Sequence, residues 1–383
     1  MKKIFILIGV ALLLGGCYDY KEINDLAIIS AIGIDYKDDV YMVTLEVLND
    51  KQDKGSASVT TYTKNGTGKT LTEAIEDASD KITKGTNFSH VKLMILSKSL
   101  MEEKFENIFD LFLRNIYFRE NFYVVGSIKN SPEEILSNTN NFEKIASNAI
   151  ILMLENMNYS SNSNVLKEFD QVVKDSLNFG LDTCFSNVSL KDKNFYVDGL
   201  IVFDGYKYKS LFSNEDAKIY NILNNDFDRP TYFIDYNGKS FTVAMNDGKV
   251  NVGIKKGKIK VEGSLMGRII DNDPDLDIRN NDVLDKINSD FSKLINDKIY
   301  EFIKKMQNNN SDLLGLSLGY YKDKRIKDEN LSIWFVYLIK YIIFVVIKIK
   351  IMEDLELISL LNECNKMSVF EVSNYLLGKM DYL

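Results

Sequence analysis

The chemistry open to this chain is limited first by its histidine content. His90 is the only histidine among 383 residues, so a Ser-His-Asp triad, a Cys-His pair or a histidine-based metal site would have to use it. The neighbouring Ser89 and Lys92 do not form with it the arrangement of a nucleophile and an activating base that catalysis needs. We therefore interpret His90 as a structural or surface residue, and we expect no catalytic residues and no enzymatic activity.

A second candidate is the stretch from Thr63 to Thr70, TKNGTGKT, which partly matches a phosphate-binding loop. That pattern, G-x-x-x-x-G-K-[ST], needs a glycine where this chain has Thr63. We instead predict a connection from a strand to a helix, in which Gly66 and Gly68 allow the chain to bend. No nucleotide cofactor is expected.

The third candidate is an acidic loop in which every second residue is an aspartate: Asp271, Asp273, Asp275 and Asp277. A calcium-binding EF-hand also needs glycine at its sixth position and glutamate at its twelfth, where this chain has Leu276 and Asp282. A solvated loop beside a helix N-terminus, whose dipole favours acidic groups, explains the pattern better. We predict no metal site and no cofactor.

Of the three cysteines, only Cys17 lies in a sequence that predicts a chemical modification. Cys184 and Cys364 lie far apart in dissimilar surroundings, so they form neither a disulfide framework nor a C-x-x-C metal site. We interpret both as buried or idle thiols. Cys17 differs from them because of the segment that precedes it.

That segment has the order of a secretory signal. The basic pair Lys2-Lys3 is followed by an apolar run, Ile4–Leu14, which is shorter than the roughly 20 residues of a membrane-spanning helix. Leu14-Gly15-Gly16-Cys17 resembles the lipobox, at which bacterial lipoproteins are acylated on cysteine and cleaved. We predict a signal peptide at residues 1–16, a diacylglycerol or acyl lipid on Cys17 and a location on the extracytoplasmic face of a membrane. An ordinary secretory signal or an uncleaved helix is the alternative.

The composition is that of a globular protein of two or three domains, with 45% apolar and 27% charged residues. The 47 basic residues and 55 acidic residues give a net charge of -8. This balance argues against a nucleic-acid partner and against electrostatic docking on anionic lipid. The predicted lipid, rather than charge, would therefore supply the affinity for a membrane.

Hydrophobic periodicity predicts an N-terminal α/β domain at residues 17–193. A hairpin turns at Lys37–Asp39, a Thr-rich strand covers residues 56–62, and a capping box, Thr70 with Glu73, starts the first helix. Further strands are predicted at residues 92–96 and 122–128. Because helices and strands alternate here, we expect a mixed sheet with helices packed on it.

A β-rich middle domain is predicted at residues 194–264, and a C-terminal domain at 265–351. The middle domain contains a hairpin that turns at Lys256-Gly257. The C-terminal domain contains a long helix from Val283 to about Met306, whose apolar stripe indicates that it packs on a sheet. The predicted fold class is therefore α+β and multi-domain.

The apolar segment Ile333–Ile351 has two interpretations. As a transmembrane helix it would place lysines in the bilayer, each at a cost of about 3 kcal/mol. We predict instead that Phe344–Ile351 is a strand, with Lys348 and Lys350 at alternate positions. Residues 352–383 are expected to form an atypical helical tail, and we hypothesise either a lineage-specific extension or a frameshifted terminus.

Several short motifs occur in a characteristic order. The first, GCYDYKEINDLAIISAIGID at Gly16–Asp35, resembles the opening of the Ger(x)C lipoproteins, the C subunits of spore germinant receptors, with Tyr18 in place of the usual tryptophan. Further segments similar to that family are Thr72–Ile75, Ser89–Lys92, Leu113–Asn115, Phe118-Arg119, Gly199–Phe203 and Ser311–Leu316. The resemblance covers about residues 5 to 320.

This resemblance implies a lipid-anchored subunit in the inner membrane of dormant spores that works beside two integral-membrane subunits. Such complexes respond to small nutrients, and the C subunit is not an enzyme. Two alternatives remain open. A solute-binding lipoprotein of an importer would usually show two doubly wound lobes, which the β-rich middle region does not favour. A lipoprotein hydrolase would need the catalytic constellation that the sequence lacks.

Overall fold

The computed structural model describes ten stretches of the chain, which form two compact units. The described stretches are residues 25–49, 60–114, 118–138, 143–178, 180–226, 230–236, 238–255, 258–276, 278–318 and 343–352. Unit 1 contains the chain up to residue 151 together with residues 167–171 and 188–196, and unit 2 contains the rest. The predicted boundaries at 193–194 and 264–265 stay predictions, although the second falls inside a continuous strand, Lys258–Asn272.

The sheet of unit 1 has β1 (Leu26–Lys37) near its centre. On one side of β1 lie the antiparallel strands β2 (Val40–Asn49) and β3 (Thr60–Gly68). On the other side, β4 (Gly85–Asn87) and β5 (Leu93–Ser97) both run parallel to β1. Beyond β5 come the parallel β6 (Tyr123–Ser127) and the two-residue antiparallel β7 (Lys167-Glu168). The predicted mixed sheet is confirmed.

The first helix of unit 1 begins where the capping box predicts. In α1 (Leu71–Asp80), the hydroxyl of Thr70 accepts the N–H of Glu73 at 3.2 Å. The helices that follow are α2 (Lys98–Glu103), α3 (Phe105–Arg114) and α4 (Pro132–Leu136). Two further helices, α5 (Ala146–Ser160) and α6 (Phe169–Leu177), begin in unit 1 and continue into unit 2. Aromatic rings fill the core between α3 and the sheet, with Phe112, Phe122 and Phe169 all buried.

The structure corrects the predicted bend at Gly66 and Gly68. Strand β3 continues through both glycines, and they pair with Val43 and Tyr41 of β2. Their role is close packing, because a Cβ atom on Gly66 would lie 2.2 Å from the carbonyl oxygen of Ala74 in α1. The glycines therefore let α1 lie directly on the strand, and the chain passes from strand to helix without a phosphate-binding loop.

Unit 2 contains a second sheet in the order β11-β12-β13-β14. Its strands are β11 (Thr231–Tyr236), β12 (Lys239–Lys255), β13 (Lys258–Asn272) and β14 (Ile343–Met352), and the last pair is parallel. Lys255 pairs with Lys258, so the predicted hairpin is confirmed. Strands β8 (Cys184–Lys191) and β9 (Asn194–Asp204) belong partly to unit 1, through residues 188–196, and otherwise to unit 2. Strand β10 (Lys207–Phe212) and helix α7 (Asn214–Leu223) follow them in unit 2.

The long helix α8 (Asn281–Asn309) packs on the second sheet through one apolar stripe, as predicted. The ring of Phe291 meets Tyr232 of β11 at 5.5 Å, and Phe302 meets Phe212 edge-on at 5.9 Å. The buried members of the stripe are Ile287, Phe291, Ile295, Ile299, Phe302, Ile303 and Met306. These contacts, together with the mixed sheet of unit 1, confirm the α+β fold class.

The C-terminal apolar segment is a strand where it is described. Residues 343–352 form β14, with Ile343 paired to Ile259 and Ile351 to Gly267, so the predicted strand is confirmed over this range. None of the described helices is long and apolar enough to cross a membrane. The predicted helical tail begins at residue 352, and residues 353–383 lie outside the described part of the chain.

A pair of aspartates attaches the segment after α8 to the rest of unit 2. The carboxylate of Asp182 accepts the backbone N–H groups of Asp312 and Gly205, each at 2.7 Å. In turn, the carboxylate of Asp312 accepts the N–H groups of Leu316 and Ser317 at 3.0 and 2.7 Å. Burial raises the pKa of the Asp182 carboxyl to about 6, and it also raises the pKa of Asp312.

We expect Gly66→Ala to destabilise unit 1, because the added methyl group would overlap the backbone of α1. Overpacking of this kind typically lowers the free energy of unfolding by about 1–3 kcal/mol. The matched control is Gly253→Ala, where an added Cβ meets nothing within 4 Å. Urea unfolding followed by circular dichroism measures both variants, and equal midpoints would refute the proposed role of Gly66.

We also expect Asp182 to make stability depend on pH. Its pKa of about 6 in the folded chain lies above the ordinary value of 3.8 for this carboxyl group, so the folded state holds this proton more tightly. The free energy of unfolding should therefore fall as the pH rises from about 4 through 6, by roughly 2 kcal/mol for this group. The variant Asp182→Asn should not show this dependence of stability on pH.

The measurement is urea unfolding of the wild type and Asp182→Asn at several pH values. As the pH rises, the wild type should lose stability relative to Asp182→Asn, because only the wild type gains a buried charge. A difference that stays constant from pH 4 to 8 would contradict the assignment.

Candidate functional site

The predicted lipidation residue, Cys17, lies outside the described residues, so the lipid on it stays a prediction. Cys184 lies at the start of β8 and is buried, in line with the interpretation of this residue as a buried thiol. Cys364 also lies outside the described part.

His90 is exposed in the turn between β4 and β5. The carbonyl of Phe88 accepts the N–H of Val91 at 3.2 Å and closes this turn. The ring of Phe88 packs on Phe118 at 4.8 Å, which links the turn to the segment before β6. The structure thus brings two of the short sequence motifs, Ser89–Lys92 and Phe118-Arg119, to the same region of unit 1.

The acidic loop after β13 is held by hydrogen bonds among its own residues and by bonds to Lys239 and Ser240 of β12. The carboxylate of Asp273 accepts the N–H of Asp275 at 2.9 Å, and the carbonyl of Asp273 accepts the N–H of Leu276 at 2.9 Å. Asp271 belongs to β13 itself, and Asp277 is not among the described residues. Within the described ranges, no three His, Cys, Asp or Glu side chains are grouped so that they could hold a metal ion.

The most unusual polar group in unit 1 is Glu46 of β2, whose side chain is fully buried. One carboxylate oxygen accepts the hydroxyl of Ser30 at 2.7 Å, and the other accepts the N–H of Ala146 at 2.7 Å. The N–H of Ser147 lies 3.4 Å from both oxygens. Burial raises the pKa of Glu46, whereas these donors oppose the rise by favouring the carboxylate.

This arrangement serves structure rather than chemistry. Ala146 and Ser147 are the first residues of α5, so Glu46 satisfies N–H groups that a helix leaves unpaired at its start. No cation pairs with Glu46 among the described residues. The carboxylate thus joins β1, β2 and α5, and its bonding capacity is already used by the protein itself.

The sequence did not single out Glu46, because it alternates with the apolar residues of β2 in the way that an exposed residue does. Val43, Leu45 and Val47 are buried, but so are Thr44 and Glu46. Strand β2 is therefore buried on both faces in this stretch. The alternation of apolar and polar residues within one strand does not reveal that the second face is also buried.

Buried asparagines form a second polar cluster, in unit 2. The side-chain amide of Asn221 donates to the side-chain oxygen of Asn162 at 2.7 Å and to the backbone oxygen of Asn164 at 2.9 Å. Asn162 in turn donates to the carbonyl of Asp226 at 2.7 Å. These neutral amides hold the chain after α5 against α7, and they provide neither a nucleophile nor a general base.

An open cavity of about 390 Å³ lies on the second sheet. It is lined by Lys249, Asn251, Glu262, Gly263, Ser264 and Lys348. Glu262 already pairs with Lys260 at 2.5 Å. The lining could accept a small polar molecule, but it does not contain a nucleophile paired with a base.

Comparison with known families accounts for most of the chain. The family described as Spore germination protein N-terminal domain matches residues 19–189, and the family described as Spore germination B3/GerAC like, C-terminal, matches residues 198–354. The matched ranges therefore begin just after Cys17 and end just after β14. Residues 355–383 lie beyond them.

Individual relatives agree with these matches. Spore germination protein KC of Bacillus subtilis (strain 168) is 25% identical over 354 residues, which cover 81% of this chain and 84% of the relative. Putative spore germination protein YfkR of the same organism is 22% identical and covers 83% of this chain and 86% of its own length.

Spore germination protein A3 of the same organism is 32% identical over 38% of this chain and 40% of its own length. The crystal structure of the GerBC protein has the same fold, with a TM-score of 0.51 at 15% identity over 84% of this chain and 96% of that one. Because the N-terminal and C-terminal family matches follow each other and together cover most of the sequence, the chain belongs to the Ger(x)C family of spore germination proteins.

Proposed function

We propose that this chain is a lipid-anchored, non-catalytic subunit of a nutrient germinant receptor in the inner membrane of the spore. The observation that carries the proposal is the pair of family matches, preceded directly by the lipobox-like Leu14–Cys17. A lipid on Cys17 would hold the chain at the bilayer, since several acyl chains anchor a protein firmly.

The buried carboxylates support a non-catalytic role. Glu46, Asp182 and Asp312 each accept hydrogen bonds from backbone N–H groups at 2.7 Å. Groups that act in catalysis must instead face a substrate within hydrogen-bond reach. These three carboxyl groups hold segments of the fold together, so their raised pKa values reflect burial in a structural role.

The proposed partners are two integral-membrane receptor subunits and the bilayer itself, which the chain would reach through Cys17. The nutrient would be bound by the complex as a whole. Membership in the Ger(x)C family favours this assignment over a solute-binding lipoprotein of an importer. Calorimetric titration of the isolated chain with amino acids and sugars distinguishes the two, because an importer's receptor would show saturable binding and a scaffold subunit would not.

We expect Cys17→Ala to weaken spore germination while leaving the fold intact, because the chain would no longer be held beside its partners. Spores that carry the variant in place of the wild type are scored against a panel of nutrients by loss of optical density. The matched control is Cys364→Ala, which also removes one thiol but lies far from the lipobox.

The level and membrane location of each variant are measured by immunoblotting of spore membrane fractions. The proposal expects less membrane-bound protein and a weaker nutrient response for Cys17→Ala only. A full response from a demonstrably unlipidated chain would show that the lipid is not needed for function.

A further inference from the structure

The two sides of the second sheet differ in polarity, because side chains alternate along its strands. On one side, Val250, Val261 and Leu265 are buried in the cluster that also contains the apolar stripe of α8. The residues between them lie on the opposite side, which we call the outer face. The cations of the outer face on β12, β13 and β14 are Lys249, Lys255, Lys258, Lys260, Arg268 and Lys348.

Strand pairing brings cations from different strands together on this face. Lys249 of β12 pairs with Ser264 of β13, which pairs in turn with Lys348 of β14. The two lysines therefore lie in one row across the sheet, with backbones about 10 Å apart. Both line the cavity of about 390 Å³ together with Asn251 and Glu262, so these side chains share one side of the sheet.

Cations outnumber acidic groups on the outer face, although the chain as a whole is acidic. Among the described side chains of β12–β14, the six cations are accompanied by three exposed acids, Asp247, Glu262 and Asp271. The net charge of -8 argues against docking of the whole chain on anionic lipid. Alternation along β12 and β13 nevertheless collects positive charge on one side, and a local field of this kind attracts anions.

The stability of the hairpin does not explain this distribution. Lys255 and Lys258 are direct partners at the β12–β13 turn, and both are exposed. Like charges directly opposite each other destabilise a sheet. An anionic partner on the outer face would compensate this repulsion, so the arrangement favours a binding role for these lysines.

The extent and composition of the outer face suit a membrane surface better than one small anion. From Lys258 to Arg268 the face extends about 33 Å along β13. Met266 and Ile270 lie on either side of Arg268, and their side chains are 38% and 50% exposed. Cations that meet lipid phosphates, beside apolar side chains that enter the headgroup boundary, are typical of proteins that lie on a bilayer.

We infer that the outer face of the second sheet binds the anionic phospholipid headgroups of a membrane. The inference goes beyond the proposed lipid on Cys17, because it adds a second contact with the bilayer through unit 2. It rests on the proposed function only for the presence of a bilayer beside the chain.

The test uses the chain without its lipid, so that any affinity for a membrane comes from the protein surface. Residues 17–383 with Cys17→Ala are mixed with vesicles of phosphatidylcholine alone, or of equal parts phosphatidylcholine and phosphatidylglycerol, and floated through a density gradient. We expect flotation with the anionic vesicles only. Binding should weaken as the salt concentration rises, because salt screens exposed charges.

The decisive variant adds Lys249→Ala and Lys348→Ala, which together remove the row of two cations. We expect roughly 30-fold weaker binding to the anionic vesicles, since each cation near such a surface contributes about 1 kcal/mol. The matched control adds Lys293→Ala and Lys304→Ala, which remove two exposed lysines of α8. It should bind as the parent chain does, and circular dichroism checks that each variant is folded.

Four results would overturn the inference. The first two are equal weakening by both pairs of substitutions and equal binding to neutral and anionic vesicles. The third is binding that appears only after removal of residues 353–383, which contain six acids and two lysines and would then occupy the face themselves. The fourth is a parent chain that stays soluble, which would leave an acidic protein as the candidate partner. None of these results involves the lipid on Cys17, so the proposed function is tested separately.

Discussion

The carboxylate of Glu46 is the interaction on which the arrangement of unit 1 most depends. It is fully buried in β2 and accepts hydrogen bonds from Ser30 in β1 and from the first N–H groups of α5. A substitution that removes one of these oxygen atoms would leave a buried N–H without an acceptor. The free energy of unfolding would then fall by about 1–3 kcal/mol. Because a buried carboxyl group without a cation is tolerated only where its hydrogen-bond donors are fixed, β1, β2 and α5 must keep this geometry together.

The same principle operates in unit 2, where buried polar groups are used to join distant segments. Asp182 and Asp312 connect the chain before β8 to the chain after α8, and Asn221 joins α7 to the segment after α5. Such groups need precise partners, which favours one arrangement over alternatives of similar hydrophobic content. A protein built in this way offers stable surfaces for contact, as the proposed function requires.

The strongest sequence signals concerned elements that are defined locally. The turn at Asp38-Asp39 has positive φ angles of 53° and 62°, a conformation that aspartate tolerates in a two-residue hairpin. The Thr70 cap, the β12–β13 hairpin and the apolar stripe of α8 were also predictable, because each depends on residues that are close together in the sequence. The lipobox-like segment before Cys17 is local in the same sense.

The features that sequence reasoning missed depend on contacts between different secondary-structure elements, several of them far apart in the chain. Gly66 was expected to permit a bend, but its lack of a side chain serves the packing of α1 on β3. Glu46 had the pattern of a surface residue because its partner, Ala146, is 100 positions away. The bond between Asp182 and Asp312 joins positions separated by 130 residues. No periodicity within one element can reveal such pairs.

The proposed function depends on contacts with partner proteins, so the identity of those partners tests it most directly. The most direct measurement is to solubilise spore membranes in mild detergent, isolate this chain through a C-terminal affinity tag and identify the proteins that accompany it by mass spectrometry. We expect two integral-membrane proteins in fixed proportion to the chain. Isolation of the chain alone, or together with the permease and ATPase of an importer, would contradict its assignment as a germinant-receptor subunit.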